Sequence, residues 1–292
     1  MPAVLDRRRW LATAAGLALP WSAVRANDRL AVRIGLTPVF LDDRVRLLQR
    51  WQAVLQQALG RPVDFVQRAT YGQVLDILRA GEVHFAWICG YPYVLHRREL
   101  RLVAVPLWRG RPLYQSYLIV DAAGDAASLA DLRGRSFAYA DPLSNSGFLV
   151  VQHRLRSSGH DPGSYFGRSF FTHAHRHVVE AVADGLAAGG AVDGYVWETL
   201  ATLQPGLTRR TRVIERSADF GFPPIVAGPH ADPAAVAAVG AALRDMPRSA
   251  AGREVLAELR LDGFTPGSPA LFDGIARMVG SAAVPHTSPE GP

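Results

Sequence analysis

The chain has 292 residues, 49% hydrophobic and 20% charged, a balance that suits a globular protein of one large domain or two lobes and excludes extensive disorder. Its formal charge is +6 and all 32 basic residues are arginine. Arg7, Arg8, Arg9 and Arg25, set against Asp6, put half of that surplus in the first 26 residues, so the body has no dense basic stripe and a nucleic-acid footprint is excluded.

Residues 1–26 read as a targeting segment. Arg7-Arg8-Arg9-Trp10-Leu11 precedes an apolar run, residues 11–24, too short to span a bilayer comfortably. Val24-Arg25-Ala26 resembles a small-x-small cleavage site and puts the mature start near Asn27. The arginines fit a twin-arginine signal, with an ordinary secretory signal as the alternative. Either route predicts a periplasmic protein. No later segment is apolar enough for a membrane span, and with no lipidation cysteine directly following the signal no lipid anchor is expected. Cys89 is the only cysteine, which rules out an intramolecular disulfide; it reads as a buried structural thiol.

From residue 30 onward, short apolar strands alternate with amphipathic helices, the pattern of an α/β protein. Strands are predicted over residues 30–36, 63–66, 83–88 and 116–120, with helices over 44–59, 71–79 and 91–98 between them. A second unit follows. It has a short capped helix at 128–132, strands at 136–140, 169–172, 192–197 and 212–215, and helices over 144–157 and 177–186. Residues 220–227 read as a return crossing, followed by helices over 232–244 and 252–259. The predicted fold is two-lobed: residues 27–118 and 222–283 form lobe 1, and 119–221 form lobe 2. The crossings fall near Tyr117 and Phe222, the cleft lies at the carboxyl ends of two sheets, and residues 284–292 form a disordered tail.

The sharpest local feature is Asp141-Pro142-Leu143-Ser144-Asn145-Ser146-Gly147-Phe148, where a strand ends and a helix starts on hydroxyls and a glycine. Free N–H groups in that first turn and the helix dipole suit an anion. Ser144 and Ser146 add donors, and Gly147 lets a ligand approach the backbone. A plain serine N-cap is the alternative. His173, His175 and His177 alternate and would share one face of an extended segment, as metal ligands do. Tyr71, Tyr93 and Tyr114 offer hydroxyl donors or half-buried packing. Tyr195 and Trp197 fit a buried strand with aromatic packing. The sequence has no nucleophile elbow, no phosphate-gripping loop with lysine and no spaced metal cluster, so an enzyme is not expected, nor any metal or cofactor.

Several stretches in order carry a broader resemblance: Thr70-Tyr71-Gly72-Gln73-Val74, Gly81-Glu82-Val83-His84-Phe85-Ala86-Trp87 and Tyr114-Gln115-Ser116-Tyr117-Leu118-Ile119-Val120. They continue with Leu129-Ala130-Asp131-Leu132-Arg133-Gly134, Asp141 to Leu149, His175, and Phe222-Pro223-Pro224-Ile225-Val226. Together they resemble the phosphate/phosphite/phosphonate-binding family of periplasmic binding proteins, the ligand-capturing subunits of ABC importers. The resemblance implies a type II periplasmic binding protein fold with two hinge crossings. In it Tyr71 and Tyr114 approach from lobe 1, while Ser144, Asn145, Ser146, Gly147 and His175 hold a small phosphorus oxyanion from lobe 2. It also sets Glu198, with Tyr195 beside it, on the segment from which phosphonate binders present a carboxylate to a ligand amine. A second carboxylate of amine-recognising members falls near Pro223, which argues against an aminoalkyl phosphonate and leaves phosphate, phosphite or a simpler phosphonate. The implied partner of this monomer is an ABC permease in the inner membrane, or, in a sensor, a receptor histidine kinase. For an arsenite-type sensor, Cys89 would supply the thiol.

Overall fold

The computed structural model describes residues 31–38 and 44–282. The targeting segment with its cleavage point near Ala26, and the tail over residues 284–292, lie outside the described residues.

Seven elements come first: β1 (Val32–Leu36), α1 (Val45–Leu59), β2 (Val63–Gln67), α2 (Tyr71–Arg79), β3 (Phe85–Trp87), α3 (Gly90–Leu95) and β4 (Arg101–Leu107). Helix α1 forms where the sequence repeats apolar residues at helical spacing, burying Leu47, Leu48, Trp51 and Leu55. It stops at Gly60, whose φ of 62° only glycine adopts readily and whose N–H returns to the Gln56 carbonyl. Thr70 caps α2, its Oγ1 accepting the Gln73 N–H at 3.2 Å.

The chain then passes through β5 (Leu113–Tyr114), β6 (Ser116–Asp121) and β7 (Ser136–Tyr139) to a π-turn over Asn145–Leu149 that continues as α4 (Val150–Ser157). Next come β8 (Arg168–Phe171), α5 (His175–Ala183), β9 (Gly189–Asp193), α6 (Gly194–Leu203), α7 (Pro205–Thr208) and β10 (Thr211–Arg216). The last elements are β11 (Phe220–Gly221), β12 (Ile225–Ala227), α8 (Pro233–Asp245), α9 (Ala250–Leu259), β13 (Gly263–Thr265) and α10 (Asp273–Ala282).

Two sheets result. The first has six strands in the order β13-β4-β12-β3-β1-β2, the second five in the order β10-β6-β9-β7-β8. Each has a parallel heart, β2-β1-β3 in one and β9-β7-β8 in the other, edged by antiparallel strands. The chain crosses between them twice and the crossings run side by side. Phe220 pairs with Tyr114 and Gly221 with Leu113, and the Ser217 N–H donates to the Ser116 carbonyl at 2.9 Å. A continuous apolar core runs under both sheets, and a second cluster fills the other face of the five-stranded sheet, where Phe137 stacks on Phe166 at 4.2 Å.

The structure corrects one sequence expectation that bears on the site. Residues 192–197 do not continue as a strand: β9 ends at Asp193, and Tyr195, Trp197 and Glu198 lie on α6. The physical reason is the cap. Asp193 Oδ1 accepts the N–H groups of Tyr195 at 2.8 Å and Val196 at 3.4 Å, which starts a helix despite the strand-prone Tyr-Val-Trp run. Strands β4 and β13 and helix α10 were not expected; Pro106 within β4 reads as a strand breaker, yet it pairs with Phe264 of the edge strand β13.

Candidate functional site

Three parallel strands end at one place. Thr37 follows β1, Cys89 lies just past β3, and Asp193 closes β9, so the carboxyl ends of both sheets meet there, as in open α/β sheets that bind ligands. A cavity of about 20 Å³ lies at this junction, lined by Leu36, Thr37, Tyr71, Trp87, Cys89, His175, Asp193, Tyr195, Phe222 and Pro223. It has room for about one water molecule. Its walls are apolar at Leu36, Trp87, Phe222 and Pro223, and polar at His175 and Asp193. Among the described residues no arginine lines it.

His175 opens α5 and is 2% exposed. The Asp193 N–H donates to its Nδ1 at 3.1 Å, which leaves the ring hydrogen on Nε2. That nitrogen lies 3.5 Å from Ser144 Oγ. Burial lowers the imidazole pKa to about 3, so the ring is a neutral donor at physiological pH.

Ser144, Asn145 and Ser146 are fully buried. Ser144 caps the π-turn, its Oγ accepting the Gly147 N–H at 2.9 Å, and the Leu149 N–H reaches back five residues to the Ser144 carbonyl at 3.0 Å. Gly147 is obligatory for packing: a Cβ there would meet Ala140 Cβ at 2.4 Å and His175 Cε1 at 3.0 Å. In this arrangement the Asn145 and Gly147 amides of the turn have protein partners. The Asn145 N–H donates to Cys89 Sγ at 3.2 Å, and Ser144, Asn145 and Gly147 stand one contact behind the cavity wall, through His175 and Cys89, while the Ser146 carbonyl accepts from Ser116 Oγ at 2.6 Å. Two buried atoms in this turn, Asn145 Oδ1 and Ser146 Oγ, have no hydrogen-bond partner among the described residues. Unpaired buried polar atoms are costly and call for an explanation.

The tyrosines divide. Tyr71 lines the cavity, and its N–H, the first of α2, donates to the buried Asp141 carboxylate at 3.2 Å. Tyr114 lies on the first crossing with its hydroxyl accepting from Asn145 Nδ2 at 2.9 Å, and burial raises its pKa. Tyr195 lines the cavity with its ring, while its hydroxyl donates to the Leu259 carbonyl at 2.5 Å. Tyr93 is not part of the wall; it packs edge-on against Phe272 at 4.8 Å. Glu198 is also not brought to the cavity. One turn along α6 from the cavity wall, its carboxylate accepts from the Tyr117 hydroxyl at 3.1 Å and pairs with Arg109 at 3.2 Å. The carboxylate that does face the cavity is Asp193, raised by burial to about 7. The sequence signal for it was an Asp-Gly pair ahead of an amphipathic run, a helix-cap signature hidden by the strand reading. Of the alternating histidines, His173 lies near Asp141 at 3.5 Å and His177 near the Thr172 carbonyl at 3.3 Å, and neither lines the cavity with His175.

The Cys89 thiol is buried in the wall and pushed up to about 11 by burial, so it is an inert acceptor here.

Comparison with known proteins agrees with this architecture. The chain is 31% identical over 169 residues to the phosphate-import protein PhnD of Mycolicibacterium smegmatis; the match covers 52% of the chain and about half the length, 53%, of that curated relative. Among solved structures, the binding-protein component of an ABC phosphonate transporter from Pseudomonas aeruginosa superposes with a TM-score of 0.78 at 20% identity, covering 86% of this chain and 85% of that one. PhnD1 of Prochlorococcus marinus, solved with methylphosphonate, superposes with a TM-score of 0.77 at 15% identity, covering 86% of this chain and 98% of that one. The fold is that of type II periplasmic binding proteins. Residues 34–272 match the family model described as an ABC-transporter phosphonate periplasmic substrate-binding protein, and the chain belongs to that family.

Proposed function

We propose that the chain captures a small phosphorus oxyanion (phosphate, phosphite or a simple phosphonate) in the periplasm and presents it to an ABC permease of the inner membrane. It works by reversible binding, without covalent chemistry. The observation that carries this reading is the group of uncharged donors gathered at the start of the π-turn: the Ser144 and Ser146 hydroxyls, the Tyr114 hydroxyl and the His175 Nε2–H. Neutral donors in a dry site bind an oxyanion through charge-assisted hydrogen bonds, which are the stronger kind. The cavity is too small for a tetrahedral anion, so residues 27–118 with 222–283 and residues 119–221 act as two lobes that part about the paired crossings and close again over the ligand. On opening, the Asn145 amide leaves Cys89 and becomes available to the anion. Closure then raises the population of the form the permease accepts.

Residues 1–26 direct export and are removed near Ala26. Among the described residues no helix is long and apolar enough to cross a membrane, in keeping with a protein that meets its permease from outside the bilayer. Calorimetric titration with methylphosphonate, phosphite, phosphate and arsenate tests the function. Saturable one-to-one binding of at least one of them is expected, and absence of binding to all four contradicts it.

A further inference from the structure

Helix α6 is gripped from outside the cavity by the turn that joins β4 to β5. Trp108 and Arg111 pair across that turn, the Trp108 N–H donating to the Arg111 carbonyl at 2.8 Å and the Arg111 N–H to the Trp108 carbonyl at 3.1 Å. Arg109 and Gly110 between them have φ of 54° and 74°, the left-handed pair that a two-residue hairpin turn requires. Glycine takes such a φ freely and asparagine tolerates it. Arginine adopts it under strain, and strain of this kind points to a task for the side chain. The turn is fixed from its own side: the Gly110 N–H donates to Asp262 Oδ2 at 2.7 Å, just before β13, and Arg111 pairs with Asp219, just before β11.

Two side chains of the turn reach α6. The Trp108 ring meets the Tyr195 ring edge-on at 5.9 Å. The Arg109 guanidinium lies 4.6 Å over the Trp108 ring and pairs with the Glu198 carboxylate at 3.2 Å. Tyr195, which lines the cavity, and Glu198, which does not, are neighbours on one face of the helix. Glu198 is oriented within its own lobe, because Tyr117, whose hydroxyl it accepts at 3.1 Å, lies on β6 beside β9. Cation and carboxylate are therefore each held in place by a different sheet. We infer, on the basis of the two-lobed oxyanion capture proposed above, that Arg109 is a positioning residue for the ligand: by clasping Glu198 it holds the Tyr195 wall of the cavity shut and sets affinity from outside the site. The Glu198 carboxylate then has its partner in the protein rather than in the ligand. The pair forms as the lobes meet and is given up as they part, so it favours the liganded form without stabilising the open one.

Arg109→Asn tests this, because asparagine followed by glycine is the preferred pair for such a turn. The thermal midpoint of the unliganded variant should equal or exceed that of the parent, while calorimetry with methylphosphonate should give a Kd about fivefold higher. Glu198→Gln should raise the Kd by a similar factor. The double variant should bind no more weakly than either single one, since both changes remove the same contact. Arg109→Lys keeps the charge and should stay within about twofold of the parent. An unchanged Kd in Arg109→Asn would overturn the inference. So would a Kd that rises only together with a fall in the midpoint, which marks a structural role, or losses that add in the double variant. If the parent itself binds none of methylphosphonate, phosphite and phosphate, the capture function fails and the inference with it, a result distinct from binding that is indifferent to Arg109.

Discussion

The site depends on a few residues whose chemistry is set by burial. Gly147 is one. The nearest atoms to a Cβ at that position are Ala140 Cβ at 2.4 Å, on a strand end, and the His175 ring, so neither neighbour yields easily. Gly147→Ala should lower stability by about 1–3 kcal/mol and weaken ligand binding, read as a lower thermal midpoint and a higher Kd. An unchanged midpoint would show that the turn is looser than described. Asp193 and His175 form a second pair of burial effects, of opposite sign. Asp193 holds its proton up to about 7 in the folded chain, against 3.8 unfolded, so its contribution to stability is lost as pH rises from about 4 through 7. His175, lowered from 6.5 to about 3, loses its contribution as pH falls through that range. The two slopes offset each other between pH ~4 and ~6.5. Asp193→Asn removes only the first, so the variant should gain on the parent by up to about 1.4 kcal/mol per pH unit from pH 4.5 to 6.5, measured by urea unfolding. Equal pH profiles for the two proteins would contradict the buried-carboxyl account.

At the level of elements, the sequence was readable where local signals and tertiary demands agree. Helix α1 shows its apolar spacing and its terminal Gly60, and α2 its Thr70 cap, so both were read within a residue of their limits. The Ser144 start was likewise visible as a cap, although nothing local announces a π-turn, because the five-residue bond from Leu149 to Ser144 answers to packing against His175 and Ala140. Helix α6 was misread because Tyr195, Val196 and Trp197 favour a strand in isolation, and only the Asp193 cap and the core behind the helix decide otherwise. The carboxylate expectation at Glu198 came from the family resemblance, and that residue is held by Arg109 and Tyr117, whereas the strand reading hid Asp193 as a helix cap. The cap itself can be tested. Asp193→Ala should cost about 1 kcal/mol more than Asp193→Asn in unfolding free energy, since only asparagine retains an acceptor for the Tyr195 N–H. Equal losses would mean that the cap does not hold the helix.

Across the whole molecule, contacts between the two sheets hold the closed form. The Tyr71 N–H meets Asp141, the Asn145 N–H meets Cys89, Asn145 Nδ2 meets Tyr114, and the Tyr195 hydroxyl meets the Leu259 carbonyl. The last of these joins the cavity-wall residue Tyr195 to the end of α9 without touching the π-turn. Tyr195→Phe removes one hydrogen bond worth about 1 kcal/mol and should raise the Kd about fivefold, with a larger radius of gyration in the unliganded protein by small-angle scattering. The central claim is that a phosphorus oxyanion is held where the π-turn, His175 and Asp193 converge. A crystal structure of the protein with methylphosphonate tests it most directly. The phosphonate oxygens should lie within hydrogen-bond distance of the Ser144 and Ser146 hydroxyls and His175 Nε2. A phosphonate bound elsewhere, with this junction still shut at saturating ligand, would contradict the account.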